Sequence, residues 1–481
     1  MKLNTQTLPQ IAAQTPGYDR AQITTGIVHL GVGAFQRAHQ AVYVDDLLTN
    51  DPRWGIVGAS LRSAATAQAL NPQDGLYSVT TKSGDGESCR VIGSLQKVIT
   101  APDDPEALIA QMAEPNVRIV TMTVTEKGYC FDPSRGELDD TNPDIQHDLN
   151  HPNAPRSAPG FLVAALRRRM ETKVGPFTVL SCDNLPQNGD VTRKVVTGLA
   201  RLIDPVLAIW IKDNVTFPAT MVDRIVPATT PDDKIQVANT LGVTDEWPIV
   251  TEPFGQWIIE DNFCAGRPDF ESVGAILTDD VHPFETMKLR MLNGSHSALA
   301  YRGALAGHTT VAQAIADPEI HAFISDMMQH EVAPNLNVPS GIDLAVYQSD
   351  LLARFSNPSL NHSLLQIATD GSQKLPQRIL DPIRDKIAQG QSFDGLAQGV
   401  AYWIRFVTAR QGNEYLFSLN DPLAADLRPI DVKLGEHSEC LLKNTRIFGH
   451  DLPKSEPFMT AVLGALSKLP QYSTRSLFSC D

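Results

Sequence analysis

Between Met287 and Ser297 the chain reads MKLRMLNGSHS, which sets an amine, an amide and an imidazole at Lys288, Asn293 and His296. On an α-helix at about 100° per residue, Lys288 and Asn293 stand roughly 140° apart with His296 between them, so all three can face one broad cleft. Along the axis Lys288 and His296 are ~12 Å apart at 1.5 Å per residue, too far to hold one carbonyl oxygen together. That leaves His296 for another part of an extended substrate. A solvated lysine beside capping Asn and His side chains is the alternative these residue types leave open.

A second chemistry-bearing string lies near the N-terminus. GIVHLGVG at 26–33 reads as a short buried strand running into a glycine turn, and residues 34–50 then carry helical periodicity. Gly31 and Gly33 are the first two glycines of a dinucleotide fingerprint, with Gln36 where the third usually stands. Such glycines let the backbone turn tightly and approach a pyrophosphate resting on the following helix. Without the third, the helix must sit slightly further from the strand. A ligand-free strand-to-helix turn is the alternative. The next strand ends Ser60-Leu61-Arg62-Ser63 rather than in the acidic residue that reads ribose hydroxyls. Arg62 can stack on adenine or meet a 2′-phosphate, so NAD and NADP both stay open.

The elements that must position these groups alternate. Further strand runs stand at 55–60, 117–125 and 177–181, with a helix over 161–171 between the last two. Alternating strands and helices predict an α/β fold with a mostly parallel, doubly wound, Rossmann-like sheet. After about Val281 strand-like runs become scarce and helical patterns dominate, and Pro283 suits a first helical turn. The sequence therefore predicts a dinucleotide-binding domain over 1–282 and a largely α-helical substrate-binding and catalytic domain over 283–481.

Bulk properties narrow the partners. With 481 residues, 42% apolar and 20% charged, the chain is sized for two globular domains. A formal net charge of −15 argues against phosphate backbones and anionic membranes as partners. The densest basic run, Arg167-Arg168-Arg169, reads as a solvated helix face. Six cysteines without CxxC spacing fit reduced thiols rather than a disulfide framework or zinc knuckle. His147 and His151 are one helical turn apart, but Pro152 and the neighbouring Asn residues predict a loop there, and no metal site is expected. No stretch approaches the ~18 apolar residues of a membrane span, and residues 1–14 lack a secretory pattern, so the expectation is a soluble, cytoplasmic protein.

Seven strings, IVHLGVGAFQRAHQ, TVTEKGY, TVLSCDN, FPATMVDRIVP, EPFGQWIIEDNF, MKLRMLNGSHS and DGSQKLPQR, resemble in the same order the polyol-specific long-chain dehydrogenase/reductase (mannitol dehydrogenase) family. Within it they are most similar to the branch of mannonate oxidoreductases, also called fructuronate reductases. The resemblance runs from about residue 25 to beyond 450. It implies an NAD-dependent, metal-independent oxidoreductase with its active site between a Rossmann-like domain and a helical one. Lys288 would be the general base, Asn184 and Asn293 would hold the developing oxyanion, His296 would orient the substrate, and Glu285 would link Lys288 to solvent protons. Gly31, Gly33, Ala34, Phe35, Arg62, Thr125, Glu126 and Val222 would line the cofactor. Asp223, Arg224 and Lys374 would reach the substrate.

A base near neutrality requires a lysine lowered from ~10.4 to roughly 7–8, about 4 kcal/mol. Burial and an adjacent nicotinamide cation both act in that direction. Lys127 in the TEKGY string can pair with a substrate carboxylate, where relatives resembling mannitol dehydrogenases tend to carry a small residue; an exposed lysine at a strand end is the alternative. The expected substrate is a sugar acid, D-mannonate exchanging with D-fructuronate. A neutral hexitol or pentitol is second, and a non-catalytic dinucleotide-binding protein third. Gln36 where the family commonly has His, Gly255 where the nearest branch carries Arg, and Ser363-Leu364-Leu365 after His362 in place of Arg-Thr-Trp depart from the pattern. The protein is expected as a monomer or small homo-oligomer.

Overall fold

The protein's structure, a computed structural model, describes residues 1–84, 86–339, 341–411, 414–428 and 440–469. The chain divides into two compact units, Met1–His282 and Pro283–Asp481.

The first unit is built on a five-stranded parallel sheet. Its order is Leu95–Thr100, Gly55–Ser60, Thr25–Leu30, Ile119–Met122, Thr178–Ser181. Successive side chains of a strand point to opposite faces, and here both faces are covered. Val28, Leu30, Val120, Met122 and Val179 enter one core with Leu108 and Met112 of the helix Pro105–Ala113, Leu162 and Leu166 of Ala158–Thr172, and Val195 and Leu199 of Asn188–Ile203. Ile27, Ile56, Ile119 and Leu180 enter the other with Ala41, Val44 and Leu47 of Gln40–Leu47. That two-sided burial is why the strands read as unbroken apolar runs. The strand order reverses at Thr25–Leu30, and in doubly wound sheets ligands sit outside the carboxyl ends of the strands at that point. Two smaller mixed sheets join Ile249–Thr251 to the hairpin Tyr77–Ser83/Gly86–Ile92, and Gln256–Glu260 to Thr220–Asp223 and Ile276–Thr278, and the short antiparallel pair Phe131–Asp132/Glu137–Leu138 is a third.

Four local expectations are corrected. The helix over 34–50 is two helices, Ala34–Ala38 and Gln40–Leu47, broken at His39 with φ −119° and ψ −90°. The strand over 117–125 is confined to Ile119–Met122, and Thr125–Gly128 is a helical turn. His147 lies on the helix Pro143–Asn150 and stacks on His151 with ring centroids 4.6 Å apart; Asn142 caps that helix by accepting from Asp144 N, so the Asn and Pro residues bound a helix rather than a loop. Arg169 is buried, not solvated: its guanidinium donates to the carbonyls of Met112, Val117 and Gly175, tying the helix Ala158–Thr172 to its neighbours.

The second unit is largely helical around one core. The helix Asp394–Thr408 carries Leu396, Val400, Trp403, Ile404 and Val407 into it, against Leu299 and Tyr301 of Ser295–Leu305 and Phe458 and Val462 of Glu456–Lys468. The helical ladder widens from i→i+4 to i→i+5 at Lys288–Gly294, Met327–Val332 and Pro376–Leu380. Among the described residues no helix is long and apolar enough to cross a membrane. The described cysteines are free thiols; Cys480 lies outside the described residues.

Candidate active site

Gly31 and Gly33 are glycines for different reasons. Gly31 has φ +91°, and a Cβ there would stand 2.2 Å from the Thr123 carbonyl oxygen, so the turn itself demands it. Gly33 is extended, with φ −111° and ψ −173°, and a Cβ would meet nothing closer than 3.8 Å. Packing therefore leaves residue 33 open to other side chains, and its bare backbone faces a cleft of about 400 Å³. A cradle that a Cβ would fill fits the close approach of a pyrophosphate. The cleft is also lined by Ser60, Arg62 and Ser63 at the end of one neighbouring strand and by Thr123, Thr125 and Lys127 after the other.

A buried imidazole and a half-buried carboxylate hold this edge. His29 bridges Thr121 Oγ1 at 2.8 Å and Thr123 Oγ1 at 2.9 Å, and Thr123 Oγ1 donates to the Gly31 carbonyl at 2.9 Å. Burial pushes the His29 imidazole down to about 3, so it works as a neutral brace. Asp183 accepts from Val124 N at 2.8 Å, Thr125 N at 3.0 Å and the Tyr129 hydroxyl at 2.7 Å. These bonds fix Thr125 in the left-handed region at φ +64° and with it the turn that bears Lys127. Sequence reasoning passed over Asp183; the available signal was an acidic residue directly after an apolar strand and beside Asn184.

The other expected residues of this unit scatter. Arg62 is exposed and pairs with Asp144 at 2.9 Å. Lys127 is exposed on the cleft wall. Ala34, Phe35, Glu126 and Val222 are not among the residues lining the cleft. Phe35 stacks on His39 at 5.1 Å, while Val222 and Asp223 are buried on Thr220–Asp223. Arg224 donates to the Ala38 carbonyl at 2.6 Å and the Glu252 carbonyl at 3.0 Å, so its guanidinium braces backbone. Asn184 is exposed on the bend after Thr178–Ser181.

In the helical unit the segment expected as a plain α-helix is α over His282–Met287, π over Lys288–Gly294 and α again over Ser295–Leu305. The wider turn corrects the angular estimate. An i→i+5 ladder brings residues five apart toward one face, so Lys288 and Asn293 approach alignment instead of standing roughly 140° apart. Lys288, Asn293 and His296 are 7%, 8% and 9% exposed. Glu285 precedes Lys288 by one helical turn and is half-buried. Gly294 permits a close crossing, because a Cβ there would lie 2.8 Å from the Arg378 carbonyl oxygen.

Asn293 Nδ2 and His296 Nε2 are buried without a hydrogen-bond partner among the described residues. Each such atom costs about 1–3 kcal/mol, and buried polar atoms are ordinarily satisfied. Their free valences are what a polyhydroxylated ligand can fill. The His296 ring is stacked on Phe355 at 5.0 Å and meets the edge of His362 at 5.1 Å. Burial, then His362 and the cations Arg378, Arg354 and Lys374, hold His296 well below the ordinary imidazole range; burial takes His362 to about 4. Both rings are neutral at pH 7. Lys374 is held by the Ile367 carbonyl and Thr369 Oγ1 at 3.2 and 3.4 Å. His362, Arg354 and Arg378 were not singled out as site residues from the sequence, since nothing local in their strings brings them to His296. No group of three or more potential metal ligands occurs among the described residues.

Known proteins are similar to this chain over most of its length. Residues 25–272 match the mannitol dehydrogenase Rossmann domain and residues 280–470 the mannitol dehydrogenase C-terminal domain. The D-mannonate oxidoreductase of Escherichia coli K12 is 46% identical over 469 residues, covering 96% of either chain. The mannitol 2-dehydrogenase of Phaeosphaeria nodorum is 42% identical, covering 99% of this chain and 85% of its own. The Pseudomonas fluorescens mannitol 2-dehydrogenase, solved as a ternary complex with NAD and D-mannitol, is 41% identical with a TM-score of 0.89, covering 97% of this chain and 96% of its own. With both domains matched in order, and relatives of this identity spanning nearly its full length, the chain belongs to the mannitol dehydrogenase family of oxidoreductases.

Proposed function

We propose that the protein is an NAD-dependent dehydrogenase that interconverts a secondary alcohol and a ketone on a sugar acid, D-mannonate and D-fructuronate, with Lys288 as general base. The observation that carries the reading is the buried set Lys288, Asn293 and His296, two of whose polar atoms await a partner, in a chain whose glycine turn fits a dinucleotide. The 46% identity to a D-mannonate oxidoreductase favours the acid. The NAD and D-mannitol complex of a relative at 41% identity favours a neutral polyol as the second reading.

NAD, when bound, supplies the hydride acceptor. The Lys288 amine takes the hydroxyl proton of the reacting carbinol and Glu285 passes it toward solvent. Asn293, with Asn184, donates to the oxygen as negative charge develops. His296, neutral, donates to or accepts from a further hydroxyl of the substrate. Gly31, Gly33, Arg62 and Thr125, which line the cleft, would hold the dinucleotide; Ala34, Phe35, Glu126 and Val222 are assigned to the cofactor by the family resemblance alone. Asp223, Arg224, Lys374 and Lys127 belong to substrate recognition, Arg224 by bracing its surroundings. The free thiols suit a cytoplasmic protein acting on small molecules as a monomer or small homo-oligomer.

Purified protein mixed with NADH and either fructuronate or fructose tests this by the absorbance of NADH. Oxidation with fructuronate alone is the expected result. Oxidation with fructose alone transfers the assignment to the neutral polyol, and none with either sugar contradicts the enzyme reading.

A further inference from the structure

Three cationic side chains from two stretches of the helical unit, 344–355 and 371–380, lie about one buried imidazole. Arg354 lies at the end of the helix Leu344–Phe355, whose Phe355 ring stacks on His296. Arg378 lies in the π segment Pro376–Leu380 and donates to Ser297 Oγ at 3.0 Å and to the Asn293 carbonyl at 3.4 Å, on either side of His296 in the chain. Lys374 stands four residues before Arg378, its amine anchored to the segment 367–369. Burial is the main reason that the His296 ring is neutral, and the positive charges of all three act in the same direction.

At the same place Asn293 Nδ2, His296 Nε2 and His362 Nδ1 are buried without a partner among the described residues. Unpaired buried donors and acceptors point to a ligand with hydrogen-bonding groups. Convergent guanidinium and ammonium groups point to an anionic one, since planar guanidinium matches a carboxylate. We propose that Arg354, Lys374 and Arg378, with the open nitrogens of His296 and His362, form a carboxylate subsite that seats the acid end of the substrate. The proposal rests on the sugar-acid reading above and specifies where the acid is recognised.

The subsite is an alternative to Lys127, which stands on the wall of the dinucleotide cleft in the other unit. In fructuronate three carbinols separate the ketone carbon from the carboxyl, so the acid end has to be gripped away from the reacting carbon. Two neutral imidazoles suit the stretch between, because their open nitrogens can bond hydroxyls.

The test uses the full chain and the variants Arg354→Gln, Arg354→Lys and Lys127→Gly. Arg354→Gln is expected to raise the KM for fructuronate roughly 10- to 100-fold. The rise for fructose should be at least tenfold smaller, and Arg354→Lys should recover part of the loss. Equal rises for the two sugars would make Arg354 merely structural. A selective loss in Lys127→Gly with none in Arg354→Gln would move the carboxylate to the other unit. Either result overturns the subsite. Calorimetric binding of D-gluconate against D-sorbitol, without cofactor, supplies a readout independent of turnover. If the wild-type protein reduces fructose and not fructuronate, the sugar-acid reading fails. The subsite then stands if gluconate binds in preference to sorbitol and Arg354→Gln abolishes the preference, and falls if no preference exists.

Discussion

Lys288 and Asn293 occupy positions i and i+5 of the π segment Lys288–Gly294, so an amine and an amide that an α-helix would splay apart share one buried face. In the proposed mechanism the π-turn would let one short segment present both the proton acceptor and an oxyanion donor.

An Asn293→Ala variant should separate function from stability. It removes the amide proposed to donate to the oxyanion, and kcat is expected to fall about 10²- to 10³-fold. It also removes a buried Nδ2 without a partner, so the melting temperature should change little. A large fall in melting temperature accompanied by near-normal kcat would contradict both assignments.

The two glycines of the turn should respond in opposite ways. Gly31→Ala forces a side chain into φ +91° and against the Thr123 carbonyl, and about 2 kcal/mol or more of stability should be lost in urea unfolding. Gly33→Ala meets no close protein atom, so stability should hold within about 0.5 kcal/mol. NADH affinity measured by fluorescence should nevertheless weaken by about tenfold or more in Gly33→Ala. Unchanged affinity there would remove the pyrophosphate from that turn.

Asp183→Asn keeps size and loses acceptor capacity. The amide cannot accept from Val124 N, Thr125 N and Tyr129 as the carboxylate does. The Thr125–Gly128 turn should loosen, seen as faster amide exchange at Thr125 and a several-fold rise in the NADH dissociation constant. Native exchange rates would show that the turn is held by something else.

Acid should destabilise the first unit through His29. Its folded value, about 3, lies below the ordinary 6.5, so between those limits the unfolded chain binds a proton that the fold excludes. The stabilisation is complete above pH 6.5 and declines by about 1.4 kcal/mol per pH unit as pH falls toward 3. In His29→Gln the unfolding free energy should depend less steeply on pH over that window. An identical slope would mean that His29 titrates normally in the fold.

Four of the five sheet strands were legible because they are buried on both faces, and Gly55–Ser60 emerges with the limits its apolar run gives; the partly exposed edge strand Leu95–Thr100 was not. Strands of mixed exposure were not. Gly86–Ile92 carries Glu87, Ser88 and Arg90 in pairing set by its partner Tyr77–Ser83. Ile119–Met122 stops short because Asp183, a residue distant in sequence, takes the backbone N–H groups of Val124 and Thr125. In the site, Lys288, Asn293 and His296 were visible as a cluster, yet the π-turn that aligns the first two was not, since periodicity at 3.6 residues is all that side-chain pattern encodes. The basic run misled for a related reason: Arg169 is buried because carbonyls left over at the ends of neighbouring elements gather around it.

In the proposed mechanism Lys288 accepts the carbinol proton during oxidation and returns it to the ketone oxygen during reduction. The most direct measurement of that role is the single-turnover rate of Lys288→Ala with NADH and fructuronate, beside NADH binding by the same protein. A rate lower by roughly 10²- to 10⁴-fold is expected, with NADH binding within a few-fold of the wild type. A near-normal rate would contradict that role and take Lys288 out of the mechanism.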